Sequence, residues 1–128
     1  AVCVSMQKKY RLGGRRTFSF IYARGGRASG RYMTVITCPS ARRGLRIGVV
    51  AGKKVGKSVI RNKVRRRMKE IVRRFIPYME NGYNYILVAS AQASGAGFAE
   101  LITDMSAALT KAGKLSDKEN AERAARGE

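Results

Sequence analysis

Residues 47–75 read IGVVAGKKVGKSVIRNKVRRRMKEIVRRF. The run Ile47, Val49, Val50 is apolar and β-branched and predicts a strand that ends at Ala51-Gly52. A Gly/Lys turn follows from Lys53 to Lys57, and a helical pattern begins near Ser58, which is placed to act as its N-cap. Ile60, Val64, Met68, Ile71 and Phe75 recur at spacings of four, four, three and four, the signature of one buried helix face. Arg61, Arg65 and Lys69 recur every four residues beside them, and Asn62, Arg66 and Arg73 widen that second stripe. Between Lys53 and Arg74 there are eleven Lys/Arg and one acid, Glu70. Like charges four apart repel on an isolated helix, so burial of the apolar face and a counter-charged partner must support this one. The stretch predicts a helix that binds a polyanion.

The rest of the composition agrees. A chain of 128 residues holds one modest core. Hydrophobic residues make up 45%, as in a globular domain, but the net charge is +19. No Asp or Glu precedes Glu70, while residues 1–69 hold twenty Lys/Arg. Such asymmetry points to nucleic acid. No apolar run approaches the ~20 residues that span a bilayer. Cys3 and Cys38 are isolated and there is no His, so the usual zinc spacings are missing and both thiols read as reduced bystanders in a cytoplasmic protein. The start AVCVS is too short for a signal-peptide core, and Met6 looks like a natural beginning.

Outward from the central stretch, Thr17 is expected to cap a short helix over 18–24, with Phe18, Ile21 and Tyr22 on one face. Residues 26–31 read as a loop or short edge strand. RYMTVITC (31–38) predicts a strand stopped by Pro39. The short link carrying Arg42 and Arg43 suggests a hairpin with the strand over 45–51. Pro77 closes the long helix and Asn81-Gly82 marks a turn. YNYILVAS (83–90) is a third strong strand, and Ala91 to Gly97 a small-residue loop. A final helix over 98–112 would bury Phe98, Leu101, Ile102, Met105 and Leu109. Residues 1–7 are expected to be a flexible extension, 8–112 the single domain, and 113–128 a frayed or disordered tail. The order α-β-β-α-β-α predicts an α+β fold, a two-layer sandwich in which a mixed, mostly antiparallel sheet carries its helices on one face.

Protein-borne catalysis finds little support. GKKVGKS (52–58) falls short of a P-loop, because only three residues separate Gly52 from Gly56 and Ala51 stands where the motif needs Gly. The strand over 83–90 offers no Asp for magnesium. Glu70 sits among arginines and reads as a salt-bridge partner. Glu100 and Asp104, four apart, read as a solvated helix face. No Ser/His/Asp or Cys/His set exists. The turn still suits phosphate, since Lys53, Lys54 and Lys57 flank a helix N-terminus. The aromatics Phe18, Tyr22 and Tyr32 lie in the basic half, where exposed rings can stack on unpaired bases for about 1–3 kcal/mol each. They favour single-stranded RNA over duplex DNA. For Phe18, burial in the core is the competing assignment.

With these motifs in hand, the chain resembles the protein subunit family of bacterial ribonuclease P over about residues 8–112. YRLGGRRTFSFIYARG is similar to the family's first-helix region. GKKVGKSVIRNKVRRRMKE is similar to its signature, an Arg-Asn-basic triplet followed by a hydrophobic residue and paired basics, here Arg61, Asn62, Lys63, Val64, Arg65, Arg66 and Lys69. Ser58 stands where Ala is usual and Lys63 where Arg is frequent.

The resemblance implies a protein that helps a catalytic RNA remove the 5′ leader of precursor tRNA, with Mg2+ required through that RNA and no cofactor or metal held tightly by the protein. It implies that Lys53, Lys54, Lys57, Arg61, Asn62, Lys63, Arg65, Arg66 and Lys69 bind the catalytic RNA. It implies that a cleft between the sheet and the first helix, with Phe18, Tyr22 and Tyr32, takes the single-stranded leader. It also implies a left-handed βαβ crossover, against the usual rule. The expected partners are ribonuclease P RNA and precursor tRNA, with no membrane and no DNA. A ribosomal or general RNA-binding structural protein would bind RNA without raising processing by a ribozyme. A DNA-binding protein would prefer duplex DNA.

Overall fold

In a computed structural model, residues 12, 14–40 and 44–127 are described. The basic opening before Leu12, Cys3, Gly13 and the Arg42–Arg43 turn lie outside the described residues. The elements run α1 (Arg15–Arg24), β1 (Gly26–Ser29), β2 (Met33–Pro39), β3 (Arg46–Val50), α2 (Ser58–Phe75), β4 (Tyr83–Ala89), α3 (Phe98–Lys111) and α4 (Lys118–Ala125). The four strands form one mixed sheet in the order β1-β2-β4-β3. The pairs β1–β2 and β2–β4 are antiparallel, while β3 runs parallel to β4. The α+β class and the edge strand at 26–29 stand as expected.

The hairpin between β2 and β3 does not form. The two strands are separated by β4, and the link between them straddles the start of that strand. Ser40 N–H donates to the Gly82 carbonyl and Gly82 N–H donates to the Gly44 carbonyl, each at 2.7 Å. A short link favours a hairpin only where the two strands are neighbours. Here β4 supplies a partner for both, and α2 makes the crossover that a parallel β3–β4 pair requires.

Strand alternation divides the sheet into two faces. On one, Met33, Val35, Ile47, Tyr85, Leu87 and Ala89 meet α2, α3 and α4 in the main core. On the other, Ile36, Cys38 and Ile86 meet Leu12 and Ile21 in a smaller cluster. The expectation of helices on one face is therefore corrected: α1 covers the opposite face from the others. Ile21 is its only fully buried residue. α1 also begins earlier than expected, at Arg15 behind Gly14, and Thr17 lies within it rather than capping it.

In α2, Val64, Met68, Ile71, Val72 and Phe75 are buried. At about 1.5–3 kcal/mol for each side chain, this burial outweighs the ~0.2–0.5 kcal/mol of each like-charge pair along the basic stripe. Ile60, expected in the buried stripe, stays 39% exposed and sits over Gly56, where an added Cβ would lie 3.1 Å from it. Ser58 is the first residue of the helix and accepts a hydrogen bond from Arg61 Nη2 instead of capping.

Residues 118–125, expected in a disordered tail, form α4. Asp117 caps it by accepting from Asn120 N–H at 3.2 Å, and Ala121 and Ala125 are fully buried in the main core. Arg74 Nη1 donates to the Ala125 carbonyl at 2.6 Å. Among the described residues no helix is long and apolar enough to cross a membrane.

Candidate nucleic-acid interface

The site grows from the way α2 is turned. Successive residues advance about 100° around a helix. With Val64, Met68 and Ile71 inward, Arg61, Arg65 and Lys69 fall on one flank, with Asn62, Arg66 and Arg73 further round on the same side. Lys63, Arg67, Glu70 and Arg74 fall on the other. The second flank faces α3 and α4. Arg67 Nη1 donates to the Ala96 carbonyl, and Arg74 lies over the Phe98 ring at 5.7 Å. Glu70 accepts from both Arg73 and Arg74, with N–O distances of 3.0 and 2.7 Å. That flank is used to hold the fold together.

The first flank is different. α3 packs on β1 and β2 and α2 lies over β3 and β4, so this flank looks out beyond the β3 edge. Among the described residues no acid pairs with Arg61, Arg65, Arg66 or Lys69. Arg65 Nη2 donates to Asn62 Oδ1, which orients the guanidinium along the helix. Arg61 Nε is buried without a hydrogen-bond partner in the described structure. Lys63, expected with this group, is exposed on the opposite flank.

The lysine turn precedes the same flank. A short 3-10 turn over Lys53–Val55 buries Val55 in the main core and leaves Lys53, Lys54 and Lys57 exposed. Gly56 closes the turn at φ 148, a backbone region that favours glycine. The first turn of α2 has no side-chain cap, so its N–H groups and three lysines share one end of the helix.

A groove lies on the other face of the sheet. Ser29, Thr34, Val88 and Val50 align in register across all four strands, on the face of Ile36 and Ile86. All four retain solvent exposure. Phe18 and Tyr22, one turn apart on α1, are half-buried against the smaller cluster together with Val50 and Val88. The Phe18 ring covers Gly48, and Arg27 stands over the Tyr22 ring at 6.0 Å while donating to the Tyr22 carbonyl at 2.9 Å. Burial is the main cause that raises the Tyr22 phenol above its ordinary value of 10.0, so it stays neutral at physiological pH. The groove floor runs into the lysine turn, since Val50 is followed by Lys53 three residues on.

Tyr32 does not join this groove. It packs against the main core, on the α3 side. Its hydroxyl donates to Glu100 Oε2 at 2.8 Å, and its N–H donates to Asp104 Oδ2 at 2.9 Å. Glu100 and Asp104, read as a solvated face, instead pin the turn between β1 and β2. The row Ser29–Thr34–Val88–Val50 and Arg27 were missed by sequence reasoning. The alternation within each strand was readable, but the row exists only through the strand order. Among the described residues no three His, Cys, Asp or Glu gather as a metal site.

Comparison with known proteins places the sequence and the fold in one family. The family model described as Ribonuclease P matches residues 6–113. The ribonuclease P protein component of Thermus thermophilus is 46% identical over 104 residues, covering 80% of this chain and 59% of that protein. The component of Symbiobacterium thermophilum is 35% identical over 111 residues, covering 86% and 96%. A solved structure of a Staphylococcus aureus RNase P protein mutant superposes with a TM-score of 0.79 at 25% identity, covering 84% of this chain and 92% of that one. The chain spans about 60% of the length of the Thermus relatives it matches.

Proposed function

Since this chain belongs to the ribonuclease P protein family, we propose that it serves as the protein subunit of ribonuclease P, binding the catalytic RNA and the 5′ leader of precursor tRNA. The observation that carries this reading is the division of labour on α2. Arg67 and Arg74 are bound to segments outside α2, whereas Arg61 and Arg65 bond only to residues of α2 itself and, with Arg66 and Lys69, have no acid opposite them among the described residues. A stripe of cations about one turn apart suits the phosphates of a folded RNA.

The contribution is electrostatic and positional. The outward flank and the turn of Lys53, Lys54 and Lys57 neutralise crowded phosphates of the catalytic RNA. The groove between α1 and the sheet receives the leader, whose bases stack on Phe18 and Tyr22, with Arg27 at the rim. Tyr32, held by Glu100 and Asp104, supports the turn rather than the leader. Lys63 lies off the main contact. In this reading Mg2+ supplies the hydrolytic chemistry through the RNA, and the protein lowers the concentration required.

The test is cleavage of a precursor tRNA by a bacterial ribonuclease P RNA at low magnesium, with and without the protein. Strong stimulation that Arg65→Ala/Arg66→Ala weakens is the expected result. No stimulation, with RNA binding intact, would move the assignment to a general RNA-binding protein.

A further inference from the structure

The α1 helix has a second face that the groove does not use. Arg16, Phe20 and Arg24 are spaced four apart and lie in a line on the side away from Phe18 and Tyr22. Phe20 is 53% exposed and belongs to neither core cluster. The Arg24 guanidinium stands over its ring at 5.3 Å from the centroid. Neither Arg16 nor Arg24 takes part in the ion pairs of the described residues.

A single exposed ring is ordinary on a protein surface. This one is flanked by two arginines, one stacked upon it, on a chain that carries no acid before Glu70. The face is complementary in charge to a polyanion. The ring adds a flat apolar platform that phosphate neutralisation alone does not need. RNA with an unpaired base offers both properties at once.

We propose that Arg16, Phe20 and Arg24 form a second RNA contact, at which one unpaired base stacks on Phe20 and its neighbouring phosphates meet the two arginines. The proposal rests on the RNA-binding reading above. It adds that α1 is gripped from both sides, by the leader on its inner face and by a second single-stranded segment on its outer face. Phe18 and Tyr22 cannot serve this second site, because they face the sheet.

The test measures the affinity of the full chain for the complex of ribonuclease P RNA and precursor tRNA across a range of salt concentrations. Phe20→Ala is expected to weaken binding about five- to fiftyfold, in line with the loss of one stacking platform, and to leave the salt slope unchanged. Phe20→Tyr keeps the ring and should restore affinity. Arg16→Ala/Arg24→Ala should make the slope shallower by about 1.4, two phosphates at the single-strand coefficient. Phe20→Ala should melt as wild type does, because its ring is outside the core. Affinity within twofold of wild type for Phe20→Ala, while Tyr22→Ala weakens binding, would overturn the proposal and leave the groove standing. Failure of the wild-type chain to bind RNA at all would remove the underlying reading along with it.

Discussion

Phe18 on α1 lies directly over Gly48 on β3: a Cβ built at Gly48 would fall 2.5 Å from Phe18 Cζ. The contact lets the helix approach the sheet closely enough to half-bury one ring and leave the row from Val50 to Ser29 open beside it. It settles the choice for Phe18 between core and surface, because the ring does both: it rests on the strand and borders the groove.

Gly48→Ala is therefore expected to push Phe18 off its seat. Overpacking of this kind costs about 1–3 kcal/mol. Leader affinity should fall with it. Chemical denaturation of Gly48→Ala, Phe18→Leu and the double variant measures the coupling. The cost of the added methyl should shrink in the Phe18→Leu background, and equal cost in both backgrounds would show that the two residues do not press on each other.

The two flanks of α2 should separate cleanly. Arg74→Ala removes the ion pair to Glu70, the bond to the Ala125 carbonyl and the cation over Phe98. We expect about 1–3 kcal/mol of lost stability, with the salt dependence of RNA binding unchanged. Thermal melting and RNA titration on the same variant check this. A stable variant with a shallower salt slope would assign Arg74 to the RNA.

The Tyr32–Glu100 bond should appear as a pH effect. The Gly97 N–H first, and then the Tyr32 hydroxyl, hold the Glu100 carboxyl below its ordinary value of 4.5. A depressed folded-state value gives stability that is present above the unfolded value and is lost as pH falls through the folded one. Wild type should therefore melt higher than Tyr32→Phe at pH 6, and the gap should narrow as pH drops below the ordinary glutamate range. A gap of equal size at pH 6 and pH 3 would exclude the carboxylate as its source.

Much of this molecule was legible in one stretch of sequence. The spacing of Val64, Met68, Ile71 and Phe75 set the orientation of α2, and with it the outward flank. Ile60 broke the pattern because it precedes the packed part of the helix and rests on Gly56. Strand order was not legible. The link from Ser40 to Gly44 is short enough for a hairpin, and only the long-range bonds to Gly82 show that it spans a third strand. α4 was hidden for a different reason. Its buried contacts are two alanines, Ala121 and Ala125, which give little hydrophobic signal among five charged neighbours in 118–126, although Asp117 was a readable cap. The separation of Tyr32 from Phe18 and Tyr22 follows from the two-faced sheet. Aromatic content in a basic segment does not reveal which face each ring occupies.

The most direct test of the RNA face is the salt dependence of affinity for ribonuclease P RNA, compared between wild type and Arg61→Ala/Arg65→Ala/Lys69→Ala. With about six phosphates contacted, the wild-type log–log slope should lie near −4, and removal of three outward cations should bring it to about −2. A wild-type slope near −1, or a slope that the triple change leaves untouched, would contradict the assignment of this flank to the RNA.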